Sequence, residues 1–439
     1  MDRRLHPYKY GDFDGSNKSP RPPRQPPDPA FGPMRTLHRL PSTVPRSRPS
    51  THLRRGERMR AIVTGQVGMD KKRYLKSVAD FAGEQGESVD LFTVGDIMYK
   101  EAPDVKPGTI LNLPLSRLDA LRRAAFKDVI AEAKGLEHVL VNTHATFRWR
   151  HGLFRAFDFD QIKALEPDIF VCLVDNIEIA HQRLHAEHDI DATLKDMMVW
   201  REEELLATEL MSLALPGTQF YIVSRGRHAQ TTRTMFRLLC RPEMRKVYPS
   251  FPMSHVVDMP DVQAEIDAFR DALAEHFITF DPGDVDEKLL LDRAAEAVKN
   301  GEDFFDHKPF QLGGDKTGKP VEAIRMKTRE VLDIAGDIDG QIYMRDFKLI
   351  DQSDMIVSYV PELPGREEGK AIPGLSSGVE RELQHAYEHA KEVYVVWKPA
   401  KPPSPFITET STKIFTSVED ALAHFEAKGM FAQTNLFGQ

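Results

Sequence analysis

The sequence predicts an α/β protein: two parallel-sheet α/β domains behind a disordered leader. Short runs dense in β-branched and aromatic residues recur along the chain, among them Val139-Leu-Val141, Met355-Ile-Val-Ser-Tyr-Val360 and Val393-Tyr-Val-Val-Trp397. Longer segments with few glycines or prolines separate them, the pattern of buried parallel strands joined by crossover helices. The alternation occurs twice, on either side of a short basic joint, Arg241 to Lys246. Before both lies a stretch with no apolar periodicity. At 439 residues the chain is long enough for two or three domains, each with its own core.

The leader, 1–58, contains 11 prolines and carries 13 Lys+Arg against 5 Asp+Glu, a net of +8. It cannot bury enough apolar surface to offset the entropy of ordering, so disorder is expected. It lacks the apolar core of a secretory signal, leaving a transit peptide, a basic tether or a dispensable extension before Met59. With −8 for the whole chain and +8 for the leader, the remainder carries −16. An acidic body does not attract nucleic-acid backbones, which argues against polynucleotide partners. No apolar run reaches membrane-spanning length. Two cysteines, Cys172 and Cys240, fit a reducing, cytoplasmic setting and not a disulfide framework. No metal site is expected.

The first domain is expected over 59–240. Met59-Arg-Ala-Ile-Val-Thr64 reads as a strand, Gly65 to Lys71 as a glycine-bearing loop, and Lys72 to Gln85 as a helix. That geometry lets backbone amides cradle phosphates. Against G-x-x-x-x-G-K-[ST], Gly65 and Lys71 are in place, Asp70 replaces the second glycine and Lys72 the metal-binding hydroxyl. Further strands follow at Val89–Val94, Val139–Ala145, Asp168–Val174 and Thr218–Ser224, with helices at Asp191–Ala207 and Thr231–Leu239. The tips "VTGQVG", "VGDIM", "VNTHA" and "FVCLVDN" resemble archaeal-type adenylate kinases. The resemblance implies a P-loop kinase-like domain binding a nucleotide, with ATP and Mg²⁺ as the cofactor such a domain takes. Gly65, Gly68 and Lys71 match its phosphate loop, and Thr143 and His144 its D-T-H tip, with Asn142 in the acid's place. His144 also reads as an ordinary strand-end histidine. The family's basic residue before "L-P" is Leu111 or Asn112 here, leaving Arg117 or Arg122 as substitutes.

The second domain is expected over 247–439. Val247 opens it, Asp261–Phe277 is a core-facing helix, and Phe277–Pro282 a strand. The charged region 286–340, with His307 and the run Gly313-Gly-Asp-Lys-Thr-Gly318, reads as an insertion over a pocket mouth. The strand Met355–Val360, a Gly/Pro-rich loop, the helix Gly378–Lys391 and the strand Val393–Trp397 form a crossover unit, with Thr416 capping a last helix, 418–428. Ligands of such units sit beyond the carboxyl ends of the strands, where Ser376, Gly378 and Glu382 lie. A carboxylate there can attack a sugar carbon while other acids serve the leaving group, and it can equally be a solvated helix residue.

Asp346, Asp354 and S-x-G-V-x-x-E-L-x-x-A from Ser376 resemble the nucleoside 2-deoxyribosyltransferases, most closely the branch hydrolysing deoxynucleoside 5'-monophosphates. The resemblance covers about Val247 to Lys398 and implies a deoxyribosyltransferase-like Rossmannoid fold that needs no cofactor. It makes Glu382 the nucleophile at C1', Asp346 and Asp354 the acids facing the base, and Tyr248 the residue orienting Glu382. Ser376, where transferases on unphosphorylated nucleosides carry Asp, would hold the 5'-phosphate with Ser377 and Gly378. Glu380 departs from the family's small residue, as Pro249 and Pro252 do from its first strand. The resemblance also implies a homo-oligomer. The first functional expectation is therefore an enzyme cleaving or transferring the N-glycosidic bond of small-molecule nucleotides, with a nucleotide-binding domain ahead of it. A non-catalytic nucleotide sensor and a small-molecule kinase with an accessory domain are the alternatives.

Overall fold

The computed structural model describes residues 58–149, 152–188, 190–226, 230–253, 256–308, 323–365 and 370–431. Apart from Arg58 the leader lies outside the described residues, as does the run from Gly313 to Gly318. The described residues fall in one unit, His52–Gln439.

The first half is built on β1 (Met59–Thr64), α1 (Lys71–Glu84), β2 (Val89–Thr93), α2 (Val94–Glu101), α3 (Leu115–Ala133) and β3 (His138–Asn142). An antiparallel hairpin, β4 (Thr146–Trp149) and β5 (Gly152–Arg155), and α4 (Phe159–Leu165) precede β6 (Ile169–Val174). Then come α5 (Ile177–His188), α6 (Leu194–Leu213), β7 (Gln219–Ser224) and α7 (Gln230–Cys240). The strands form a parallel sheet in the order β2-β3-β1-β6-β7. Every residue of β6 is buried, as expected of a strand covered on both faces.

The second half starts with β8 (Lys246–Ser250), α8 (Pro260–His276) and β9 (Ile278–Thr279). Its insertion consists of α9 (Lys288–Asn300), the hairpin β10 (Phe304–His307) and β11 (Ile324–Lys327), and α10 (Thr328–Asp333). There follow α11 (Ala335–Asp351), β12 (Met355–Val360), the hairpin β13 (Glu362–Pro364) and β14 (Ala371–Pro373), α12 (Ser377–Glu388) and β15 (Glu392–Trp397). The chain continues with α13 (Pro405–Thr408), β16 (Lys413–Phe415) and α14 (Val418–Ala427). The sheet order is β16-β15-β12-β8-β9, again parallel.

Local chemistry explains where elements depart from expectation. The strand at 277–282 is cut to two residues because Pro282 opens a tight turn and the Asp281 carboxylate accepts from Gly283 N at 2.8 Å. Gly336 and Gly340 suggest loop, yet α11 runs through both. Each costs only about 1 kcal/mol in a helix, less than burying Ile338, Leu349 and Ile350 returns. Asp346 therefore projects from a helix. Ser417, not Thr416, caps α14, accepting from Asp420 N at 3.1 Å, while Thr416 bonds the Asp420 carboxylate. Pro249 is tolerated in an inner strand because β9 ends before it. Val247 turns its carbonyl to Phe280 N, so by alternation the missing donor of Pro249 faces the same, vacated side.

The halves share one apolar core containing Val171 and Tyr221 from the first sheet and Tyr248 and Ile356 from the second. The Gln352 side chain donates to Ile222 O at 2.8 Å and accepts from Ile222 N at 2.9 Å, sealing the outer edge of β7 as a neighbouring strand would. No described helix is long and apolar enough to cross a membrane.

Candidate functional site

Strand alternation places Tyr248 and Ser250 on one face of β8, at its carboxyl end. Glu382 descends toward them from the second turn of α12. Tyr248 OH donates to Glu382 Oε1 at 3.1 Å and Ser250 Oγ to Oε2 at 2.6 Å. Burial lifts the Glu382 carboxyl above its usual range, and the two hydroxyl bonds draw it partly back. Burial and the two facing acids, Glu382 and Asp346, push the fully buried Tyr248 phenol well up.

Asp346 joins this group from α11. Burial pushes its carboxyl up to about 8, the adjacent Arg345 guanidinium opposes this, and the Glu382, Asp286 and Glu287 carboxylates add to it. Its Oδ1 is buried without a hydrogen-bond partner. Two coupled carboxyls, one bonded by hydroxyls and one held protonated near neutral pH, can divide nucleophile and acid roles.

Asp354 is not part of this group. It stands before β12, at the opposite end of the sheet, where its carboxylate accepts from Lys246 N at 2.8 Å. Ser376 caps α12, its Oγ accepting from Val379 N at 3.2 Å, and Ser377 and Gly378 are exposed in the first turn. Glu382 follows Ser376 by six positions, roughly 9 Å along a helix. Glu380 and Arg381 are exposed. His307 is buried on β10, with Nε2 3.6 Å from Glu178.

The phosphate loop lies between β1 and α1. A Cβ on Gly65 would come within 2.8 Å of Leu173 O, and one on Gly68 within 2.4 Å of Ala180 O, so both positions require glycine. Asp70 takes the left-handed conformation (φ 48°) that a glycine would favour, steadied by Arg73 at 2.7 Å and Arg225 at 3.1 Å. Lys71 folds its ammonium onto Gly65 O and lies 3.1 Å from His144 Nε2. Burial lowers Lys71 to about 8 against the pull of Glu204, and burial with Lys71 lowers His144 to about 4. Thr143 is buried at the β3 tip, its N–H bonded to Val63 O at 3.0 Å. Thr143, His144, Asn142 and Arg122 line a cavity of about 120 Å³ there. Arg117 instead pairs with Asp104 on the surface.

Sequence reasoning passed over three residues. Ser250 was marked only by its two-residue spacing from Tyr248. Glu204, on α6, is fully buried and accepts from Gly65 N, Ala145 N, Thr146 N and Thr146 Oγ1 at 2.7–3.1 Å. Despite burial, His144, Lys71 and those donors hold it at about 2. Glu287 is buried between Arg201 and Arg345, at 3.4 Å from the latter. Arg201 also donates to Asp175 O at 3.1 Å, and the Asp175 carboxylate takes Arg183 and Arg225. A continuous run of charged groups thus leads from the phosphate loop to Asp346.

Residues 64–198 match the family model described as an AAA domain. The chain is 34% identical over 90 residues to an adenylate kinase of Pyrococcus furiosus, across 19% of this chain and 44% of that protein. It therefore spans less than half the length of this relative. A crystal structure of TT1252 from Thermus thermophilus aligns with 40% of this chain and 92% of its own at 10% identity, with a TM-score of 0.25 too low to carry any argument. The N-terminal region is thus a P-loop, kinase-like nucleotide-binding domain with weak similarity to adenylate kinases.

Proposed function

We propose that the second half cleaves or transfers the N-glycosidic bond of (deoxy)nucleoside 5'-monophosphates. The observation that carries this reading is the convergence of Tyr248, Ser250, Asp346 and Glu382 from three distant segments into one interacting cluster. Glu382, ionised and steered by two hydroxyls, attacks C1'. The bond from C1' to the base nitrogen breaks, its electron pair leaves with the base, and Asp346 delivers a proton to it. Water, or a second base, then attacks C1', gives its proton to Asp346 and releases Glu382. The Ser376 hydroxyl, whose oxygen accepts from Val379 N, still has its proton to offer a 5'-phosphate, beside Ser377 and Gly378 at the start of α12. Asp354 has no part in these steps, because its carboxylate is fixed at the other end of the sheet.

Incubation with deoxynucleoside 5'-monophosphates, followed by chromatography for free base, tests this. Glu382→Gln is expected to reduce release to background; undiminished release would remove Glu382 from the mechanism.

The first half, on this reading, binds a nucleotide without efficient phosphoryl transfer, and so supplies or senses substrate for the second. A P-loop domain is suited to ATP and Mg²⁺, but the residue that should offer the metal a hydroxyl is Lys72, its ammonium 2.6 Å from Asp96. A cation at that position does not fit Mg²⁺. Nucleotide binding with no transfer and no base release would favour the sensor reading instead.

A further inference from the structure

We propose that Asp351, His385 and His389 form a site for a divalent transition-metal ion, Zn²⁺ being the best match. Asp351 closes α11, His385 lies in the last turn of α12 and His389 caps its end. One ring nitrogen from each histidine and one carboxylate oxygen all lie within 4.8 Å of one another. Donors around a tetrahedral Zn²⁺, each at about 2.0–2.1 Å, sit roughly 3.3 Å apart, so modest side-chain rotation closes this set. The spacing of four residues puts both rings on one helix face.

A second feature points the same way. His389 Nδ1 donates to His385 O at 2.8 Å, which leaves the lone pair of its ring on Nε2. Such a bond to a backbone carbonyl is how metal-binding histidines are commonly oriented. His385 is held as well, stacked 4.3 Å from the Phe347 ring with Nε2 2.7 Å from Asp351 Oδ1. Two imidazoles with one carboxylate suit zinc better than magnesium or calcium, and water would complete the coordination. The Lys391 ammonium, bonded to Asp351 O at 2.6 Å, opposes the ion electrostatically but leaves the carboxylate oxygens free of its own bond. A second acid–histidine group, Glu87, Glu137 and His138, is the poorer candidate because Arg241 claims Glu87 at 2.6 Å.

An ion at this site would fasten α11, which carries Asp346, to α12, which carries Glu382. Its existence does not depend on the glycosidic reading, and the test needs no turnover. The untagged, metal-stripped full chain is titrated with Zn²⁺ by calorimetry, and its melting temperature is followed with and without the ion. One equivalent should bind and raise the melting temperature. His389→Ala and Asp351→Asn should each weaken binding about tenfold or more, while His138→Ala leaves it unchanged. Absence of saturable binding, or binding that both variants leave intact, overturns the proposal.

Discussion

The phosphate-loop end and the Glu382 cluster both bury carboxylates, and they treat them in opposite ways. Glu204 is saturated: three backbone amides and one hydroxyl donate to its two oxygens, and it stays ionised down to about pH 2. In the other cluster Glu382 receives only two hydroxyls, Asp346 has an oxygen with no partner, and both are pushed upward. A buried acid with every lone pair used is fixed in one state and serves as a structural anchor. Acids left short of donors are poised to change state, as acid–base chemistry requires.

The strongest way to break this contrast is to remove the anchor. Glu204→Ala should cost about 3–5 kcal/mol of stability at neutral pH, because it strands the amides of Gly65, Ala145 and Thr146 beside Lys71. Denaturant titration measures it. The folded-state value of about 2 lies below the ordinary carboxylate value, so the contribution is complete above about pH 4.5 and fades as the pH falls toward 2. The variant and the native chain should therefore converge in acid. Glu382→Gln, in contrast, should leave stability within about 1 kcal/mol, because it removes a charge that burial already disfavours. A stable Glu204→Ala protein would erase the distinction between the two regions.

The next effect sharpens the contrast through pH. Asp346 titrates near 8 in the fold, so it can give up a proton below that pH and loses this ability as the pH rises through it. Base release should therefore fall on an alkaline limb near pH 8. Asp346→Asn should lower the rate about 10²–10⁴-fold and abolish that limb. A limb that persists in the variant would assign it to another group.

How legible these two regions were in the sequence follows from what each residue's neighbours reveal. The strands announced themselves because parallel strands buried on both faces are near-continuously apolar, as β6 is throughout and β12 is but for Ser358. Gly65 and Gly68 were visible for a related reason, since close backbone approach leaves no room for a side chain. Glu204 was hidden among Glu202, Glu203 and Glu204, three acids that composition cannot tell apart. Its helical spacing gave the only signal: Met197, Arg201, Glu204, Thr208 and Met211 all share the buried face of α6. Asp354 shows the reverse case. Asp346 and Asp354 precede the same strand; Asp354, directly before Met355, is placed at the amino end by that adjacency alone, whereas Asp346 reaches the Glu382 end only because α11 carries it back, a helix that Gly336 and Gly340 concealed. Glu287 depends on Arg201 and Arg345, 86 and 58 residues away, a separation no motif spans.

The smallest expected effect probes the two hydroxyls that set Glu382 apart from Glu204. Tyr248→Phe keeps the buried ring and removes one hydrogen bond at 3.1 Å, leaving Ser250 at 2.6 Å in place. One such bond is worth on the order of 1 kcal/mol, so base release should fall about fivefold. The bond lowers the Glu382 pKa, and losing it should move the acid limb of the pH–rate profile upward. The limb near pH 8, set mainly by burial of Asp346, should remain. Ser250→Ala, which removes the shorter bond, should shift the acid limb further in the same direction. A Tyr248→Phe enzyme slowed a thousandfold with an unmoved acid limb would instead place the phenol in the chemistry itself, since lost orientation of one carboxylate oxygen cannot account for so large a barrier.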